Sequence, residues 1–172
     1  SKTELLNTIA GFPSSFKAGT EAEYSNSNYF LLACILELLY QQDYSEVISS
    51  LITKPYYLVN TYHPHSSDSI TGEALSYQFD SVWQLQPTTH PSASYGAGSL
   101  VSTARDMGSF IYQLMQGDIV NQDSLSTMQK QKAGFGMGLM RISAGEYDGF
   151  GHGGKVDGYE SVAVHFSTHN LT

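Results

Sequence analysis

The feature that most constrains this sequence is the run Glu23–Leu32, in which polar side chains stand directly before a strongly apolar helix. The polar group comprises Tyr24, Ser25 and Asn26. The helix is predicted from Ser27 or Asn28 to about Gln42, with one of those two residues as its cap. It is apolar nearly all round, so we expect it to be buried on most sides. Such a helix is a rigid mount, and it would hold the preceding groups against a reacting atom. The same residues would equally serve as an ordinary helix cap.

Composition limits the classes of function that this chain can have. With 172 residues, 41% hydrophobic and 14% charged, it is long and apolar enough for one globular domain. Its net charge of −8 argues against a nucleic-acid partner, because phosphate binding needs Lys and Arg. No apolar run is long enough to span a bilayer. Since the chain opens on Ser1 rather than Met, we expect a processed or trimmed start.

Hydrophobic periodicity places helices first and strands last. Further helices are predicted at Tyr44–Thr53 with Asp43 as cap, from Thr103 to about Gln116 with a Thr103-Asp106 capping box, and at Asn121–Gln131. Strands are predicted at Phe135–Ile142, Tyr147–His152 and Tyr159–Phe166, with Asp157-Gly158 as a turn. Trp83 is expected to pack an irregular middle layer onto the core. The fold class is therefore α+β, with a mainly helical part over residues 1–133 and antiparallel strands over 134–172.

Tyr24 and Asn26 are the first candidate functional residues. A phenol is a poor base at its usual pKa of about 10, but a neighbouring lysine ammonium favours the phenolate, which can then take a proton from a serine. An Asn two residues away supplies a donor and an acceptor that can fix a substrate amide.

The second candidate is the run Gly151-His152-Gly153-Gly154-Lys155 at a strand end. Glycines beside a histidine let a ligand lie against the strand backbone, and exposed amides can bind an oxyanion. A glycine-rich hairpin with an incidental histidine is the alternative.

His63 and His65, with Asp68 nearby, are candidates for a metal site, because imidazoles and a carboxylate suit zinc. Their spacing matches no zinc motif, so a solvated loop is the preferred interpretation. We predict no metal and no cofactor.

Taken in order, four short motifs resemble the serine β-lactamase and penicillin-binding-protein superfamily. The closest branch contains class C β-lactamases, D-alanyl-D-alanine carboxypeptidases and esterases. The motifs are Tyr24-Ser25-Asn26, the run from Gly98 to Met107, Gly136-Met137-Gly138-Leu139, and Gly151-His152-Gly153-Gly154 with Gly158-Tyr159-Glu160-Ser161. The segment Phe16–Glu23 resembles the family's Phe-x-Pro-Gly-Thr lead-in, with Ala18 in place of the proline.

The resemblance implies roles for particular residues. Tyr24 would be the general base, and Asn26 would bind the substrate's amide. His152 would stand where other members have Lys in Lys-Thr-Gly, followed by Gly153 and Gly154 along the substrate. The backbone N–H of Lys155 would be an oxyanion donor. The family acylates an active-site serine with a β-lactam, peptide or ester and then hydrolyses the acyl-enzyme.

One departure from the family is serious: only 23 residues precede Tyr24, and the nucleophile of Ser-x-x-Lys lies well upstream of that motif. Ser14-Ser15-Phe16-Lys17 fits the spacing, but we interpret it as coincidence.

The chain is therefore expected to be a partial domain over residues 1–172, inactive by itself, from a periplasmic or secreted hydrolase of small molecules or peptidoglycan peptides. Apolar surface left uncovered would favour self-association. The alternative is a non-catalytic member of the fold that binds a ligand or partner.

Overall fold

The computed structural model describes residues 1–65 and 72–172 and shows a mixed α+β fold. Its helices are α1 Lys2–Gly11, α2 Asn26–Tyr40, α3 Tyr44–Ile48, α4 Pro91–Ser94, α5 Ala104–Gln116 and α6 Gln122–Gln129. Its strands are β1 Tyr77–Asp80, β2 Val82–Leu85, β3 Met140–Ala144, β4 Tyr147–Val156 and β5 Tyr159–His165. A π-helical turn, Ser49–Thr53, continues α3 and completes the helix predicted there. Within the described ranges, no helix combines the length and apolarity that crossing a membrane requires.

Helix α2 begins earlier than predicted. The cap is Ser25, whose hydroxyl accepts a hydrogen bond from the Ser27 amide at 3.3 Å. Ser27 and Asn28, the predicted caps, lie inside the first turn. The cap residue must have an extended backbone, and Ser25 has one, with φ −148° and ψ 128°. Asn26 is therefore the first helical residue rather than part of the lead-in, and the rigid helix fixes its backbone.

The Glu37 carboxylate ties α2 to the helices around it. It accepts hydrogen bonds from the Lys2 ammonium of α1, from the Tyr95 hydroxyl, and from the Tyr44 backbone amide of α3 at 3.1 Å. The buried side chains of Phe30, Ala33, Tyr44 and Tyr95 form the hydrophobic cluster beside these hydrogen bonds. Only 15% of the Glu37 side chain is exposed, so its three donors replace the water that burial removes.

The expectation that α2 is buried on most sides is wrong for this chain. Phe30 and Ala33 are buried, but one stripe of the helix is open to solvent. The stripe comprises Leu32, Ile35, Leu38 and Leu39, which are 51%, 48%, 72% and 72% exposed. The buried side of α2 packs against α1, α3 and the Tyr95 turn.

A second core joins α5 and α6 to the sheet β3-β4-β5. Its buried residues are Ile111, Leu114, Met115, Leu125 and Leu139. Helix α5 has the Thr103 cap and the Gly117 stop that the sequence predicts. The predicted capping box is not formed, because the Asp106 carboxylate accepts from the Asn60 amide at 2.8 Å and the Thr61 hydroxyl at 3.0 Å. That buried carboxylate fastens the loop after α3 to the start of α5.

The strands differ from prediction at their ends. Strand β3 begins at Met140, not Phe135, because residues 132–139 form turns. Strand β4 continues past His152 to Val156 and closes on β5 through the predicted Asp157-Gly158 turn. Trp83 does not pack onto the core: it is 70% exposed on the β1–β2 hairpin, where it pairs with Phe79. The regular β1–β2 hairpin lies within the stretch that was expected to be irregular.

Replacing Glu37 with Gln should lower the free energy of unfolding by about 1–3 kcal/mol, because the lysine and the tyrosine hydroxyl lose a charged acceptor. Urea unfolding followed by circular dichroism measures this. Glu146→Gln is the matched control: the side chain is exposed, has no hydrogen-bond partner among the residues described, and should change stability by less than about 0.5 kcal/mol. Equal stability of the two variants would contradict the role of Glu37.

The native chain and Glu37→Gln should also differ in pH dependence. Burial alone would raise the pKa of Glu37, but the hydrogen bonds from Lys2, Tyr95 and the Tyr44 amide outweigh it and lower the pKa below 4.5. The stability that ionised Glu37 contributes is therefore present above pH 4.5 and is lost as the pH falls through the lowered value. The stability gap between the two proteins should narrow in that acid range.

Candidate active site

Tyr24 and His152, which are far apart in the sequence, lie side by side. Their ring centroids are 6.0 Å apart with the planes inclined by 33°. Phe135 and Tyr29 complete the cluster, with ring centroids 5.3 Å and 6.1 Å from that of Tyr24. The segment just before α2 and the middle of β4 therefore face the same space.

The Tyr24 phenol is available but is not activated. It is 42% exposed, and its hydroxyl has no hydrogen-bond partner in the described part of the chain. Burial raises the pKa of Tyr24, and the neighbouring Tyr29 adds to the rise. Among the described lysines and arginines, none donates a hydrogen bond to Tyr24, so this chain does not show the cation that would favour a phenolate.

Asn26 is also available for binding. It occupies the first position of α2, directly after the Ser25 cap, and it is exposed. Its side-chain amide makes no hydrogen bond to any other described residue. Its donor and its acceptor are both free for an amide ligand.

One edge of β4 is unpaired where the candidate residues lie. Strand β4 pairs with β5 from Phe150 to Val156, but with β3 only as far as Gly151. A two-residue hairpin turn is closed by a hydrogen-bonded pair, here Val156 with Tyr159, and hydrogen-bonded and non-bonded pairs then alternate. The backbone groups of Gly153 and Lys155 therefore point to the free edge, where N–H groups can bind an oxyanion.

The Lys155 side chain does not reach this space. Alternation along β4 places it on the opposite face from His152, where it forms an exposed ion pair with Glu160 at 2.6 Å. Its backbone N–H points to the free edge, and the backbone N–H is the group to which the family resemblance gives the oxyanion role.

The two glycines after His152 differ in what they allow. A Cβ at Gly154 would lie 2.9 Å from the Ser161 hydroxyl, which is too close. A Cβ at Gly153 would meet nothing nearer than the Ser161 carbonyl oxygen at 3.8 Å, an ordinary contact. The face of β4 opposite His152 is thus open at Gly153.

The structure offers no nucleophile from Ser14-Ser15-Phe16-Lys17. Ser14 and Lys17 lie in an irregular segment between α1 and α2, so they do not share a helical face. Across the described ranges, no serine or cysteine side chain is hydrogen-bonded to Tyr24 or to His152.

The possible zinc ligands are separated from this site. The His63 ring packs edge-on against Tyr44 and Tyr95, with centroids 5.4 and 5.7 Å away. Both His63 nitrogens are buried without a partner, and the described residues contain no group of three side chains that could hold a metal. Asp68 lies outside the described residues.

Sequence reasoning missed Phe135 and Lys132. The sequence predicts Phe135 in a strand, but it ends a tight turn and packs on Tyr24. The Ala133-Gly134 pair was the signal available, because glycine in that position is typical of a turn.

Comparison with known proteins identifies the family. The β-lactamase family model matches residues 2–172. A D-stereospecific amidohydrolase from Streptomyces sp. superposes with a TM-score of 0.86 and 25% identity, over 96% of this chain and 53% of the other. D-amino acid amidase from Ochrobactrum anthropi SV3, complexed with D-phenylalanine, superposes with a TM-score of 0.84 and 25% identity. The match covers 99% of this chain and 55% of the amidase chain.

A curated relative agrees. The putative penicillin-binding protein PbpX of Bacillus subtilis is 26% identical over 132 residues, which are 75% of this chain and 34% of that protein. The chain thus spans about a third of this relative and just over half of the two solved structures. Because the β-lactamase family model matches residues 2–172, this chain belongs to the β-lactamase family.

Proposed function

We propose that this chain supplies the base, the amide-binding group and an oxyanion donor of a serine hydrolase that works through an acyl-enzyme. One observation carries the proposal: Tyr24 and His152 share one space, beside the unpaired β4 edge that presents the Lys155 N–H. A general base, an oxyanion donor and an amide clamp are what acyl transfer requires.

The proposed steps depend on these positions. The Tyr24 phenolate takes the proton of a serine hydroxyl as that oxygen attacks the substrate carbonyl. The Lys155 N–H stabilises the oxyanion, and Asn26 holds the substrate's amide. The Tyr24 phenol then protonates the leaving amine or alcohol as the bond between that group and the carbonyl carbon breaks. Water, deprotonated by the Tyr24 phenolate, attacks the acyl-enzyme carbonyl. The Tyr24 phenol returns that proton to the serine oxygen as the bond from that oxygen to the acyl carbon breaks, and the acid is released. His152, packed against the Tyr24 ring, orients the phenol.

The serine and the activating cation would come from residues outside this chain. Two observations support that assignment: no described serine is hydrogen-bonded to Tyr24, and the similar solved structures have chains nearly twice as long. The 172-residue chain alone should therefore not react with fluorescent penicillin or hydrolyse nitrocefin. Covalent labelling at Ser14 would overturn this.

Small amides of D-amino acids are the substrates that we propose first, ahead of β-lactams, esters and peptidoglycan peptides. The basis is the similarity to a D-stereospecific amidohydrolase and a D-amino acid amidase. A periplasmic or secreted location is part of the same proposal, and it rests on the family resemblance alone.

A second candidate function is ligand binding without catalysis. The raised pKa of Tyr24 favours it, since a protonated phenol can donate a hydrogen bond but cannot act as a base. The two candidates differ in what Tyr24→Phe should do.

Catalysis predicts that Tyr24→Phe lowers kcat for D-phenylalanine amide by about 10²–10⁴-fold in the polypeptide that carries the serine. Asn26→Ala should mainly weaken binding, by about 10-fold, because one amide hydrogen bond is lost. Steady-state kinetics and NMR titration measure the two effects. Asn28→Ala, in the same first turn of α2, is the matched control. If Tyr24→Phe kept full activity, the base assignment would be wrong.

We also propose that the chain self-associates through the exposed α2 stripe Leu32, Ile35, Leu38 and Leu39. Light scattering should show a species larger than the 18.8 kDa chain, and Leu38→Glu should return it to a monomer. Val59→Glu, at an apolar residue 82% exposed elsewhere, should leave the association unchanged. A native chain that is cleanly monomeric would contradict the proposal.

A further inference from the structure

The segment that leads to Tyr24 has little support of its own. Residues 21–24 belong to no helix or strand, and the described chain gives them no backbone-to-backbone hydrogen bond. The Ser25 cap fixes the helical residues after it and not the segment before it. The direction of the Tyr24 ring must therefore depend on side-chain contacts from elsewhere in the fold.

A tight turn at Lys132–Phe135 is rigid and is anchored in the core. The Lys132 amide donates to the Phe135 carbonyl at 2.9 Å, and the Phe135 amide donates back at 3.1 Å. Between them, Ala133 and Gly134 both have positive φ, 53° and 85°. After the turn, the Met137 amide donates to the Met128 carbonyl at 3.0 Å, and the Leu139 side chain is buried in the core.

Both ends of this turn contact the Tyr24 segment. The Phe135 ring lies 5.3 Å from the Tyr24 ring, inclined by 39°. The Lys132 ammonium donates to the carbonyls of Gly19 and Glu21 at 3.4 and 3.3 Å. One end of the turn supports the phenol, and the other fastens the backbone before it.

We propose that the Lys132–Phe135 turn is a positioning element for Tyr24, with Phe135 setting the plane of the phenol and Lys132 holding the segment that carries it. The expected effect on kcat rests on the proposed function, but the expected effect on the position of the Tyr24 ring does not. Neither side chain belongs to the two buried core clusters: Lys132 is exposed and Phe135 is half-buried. Their contacts to residues 19–24 account for their placement better than core packing does.

The test uses Lys132→Met, which removes the ammonium but keeps the apolar stem, and Phe135→Leu, which removes the ring but keeps an apolar group. Lys130→Met is the matched control, since the Lys130 side chain has no partner in the described ranges. Aromatic NMR signals of Tyr24, assigned by comparison with Tyr24→Phe, report the ring's position in the 172-residue chain. The kinetic constants for D-phenylalanine amide are measured in the polypeptide that carries the serine.

Both variants should shift or broaden the Tyr24 ring signals and lower kcat by about 10–100-fold, with KM within about twofold, because a base misplaced by about 1 Å loses that much. Lys132→Arg should restore both signals and rate, and Lys130→Met should match the native protein. Unchanged Tyr24 signals in both variants would overturn the proposal, as would a loss confined to KM or to thermal stability. If Tyr24→Phe keeps full activity, the proposal that Tyr24 is the base is wrong. The Tyr24 ring signals of the other variants still test whether the turn positions the ring.

Discussion

The half-buried carboxylate of Glu37 makes the contacts on which the rest of this structure depends. It draws the Lys2 ammonium, the Tyr95 hydroxyl and the Tyr44 amide onto one helix. A carboxylate that is mostly removed from water is stable only when its oxygens are satisfied, so α1, α3 and the Tyr95 turn must sit where their donors reach it. Helix α2 is thereby fixed, and with it the position of Asn26 and the Ser25 cap.

The candidate site arises where this fixed helix meets an incomplete sheet edge. Strand β3 stops pairing with β4 at Gly151, so the backbone groups of Gly153 and Lys155 lie on an open edge. His152, which precedes them on the strand, turns its side chain to the face that holds Tyr24. Fixed N–H groups on a strand need no reorganisation when charge develops, which is why a backbone edge suits an oxyanion better than a mobile lysine side chain.

The features that could be predicted from sequence depend on local rules. The Thr103 cap, the Gly117 stop and the Asp157-Gly158 turn depend on neighbours in the chain, and they are confirmed. The predicted order, helices first and strands last, is wrong in part, because β1 and β2 precede α4, α5 and α6. The proximity of Tyr24 and His152 came from the family resemblance rather than from periodicity. The predictions that failed depended on tertiary neighbours: Trp83 and the α2 stripe were expected to be covered, and they are exposed. Ala133-Gly134 signals the turn before Phe135, but the contact of Phe135 with Tyr24 could not be found from sequence, because the two residues lie so far apart along the chain.

The claim that most needs testing is that the phenol of Tyr24 and the imidazole of His152 face each other in solution. Nuclear Overhauser spectroscopy on the protein, with assignments from Tyr24→Phe and His152→Gln, measures this directly. The account predicts cross-peaks between the two rings and between Tyr24 and Phe135. Cross-peaks from Tyr24 to Phe135 but none to His152, or His152 signals that instead meet the Lys155–Glu160 face, would contradict it.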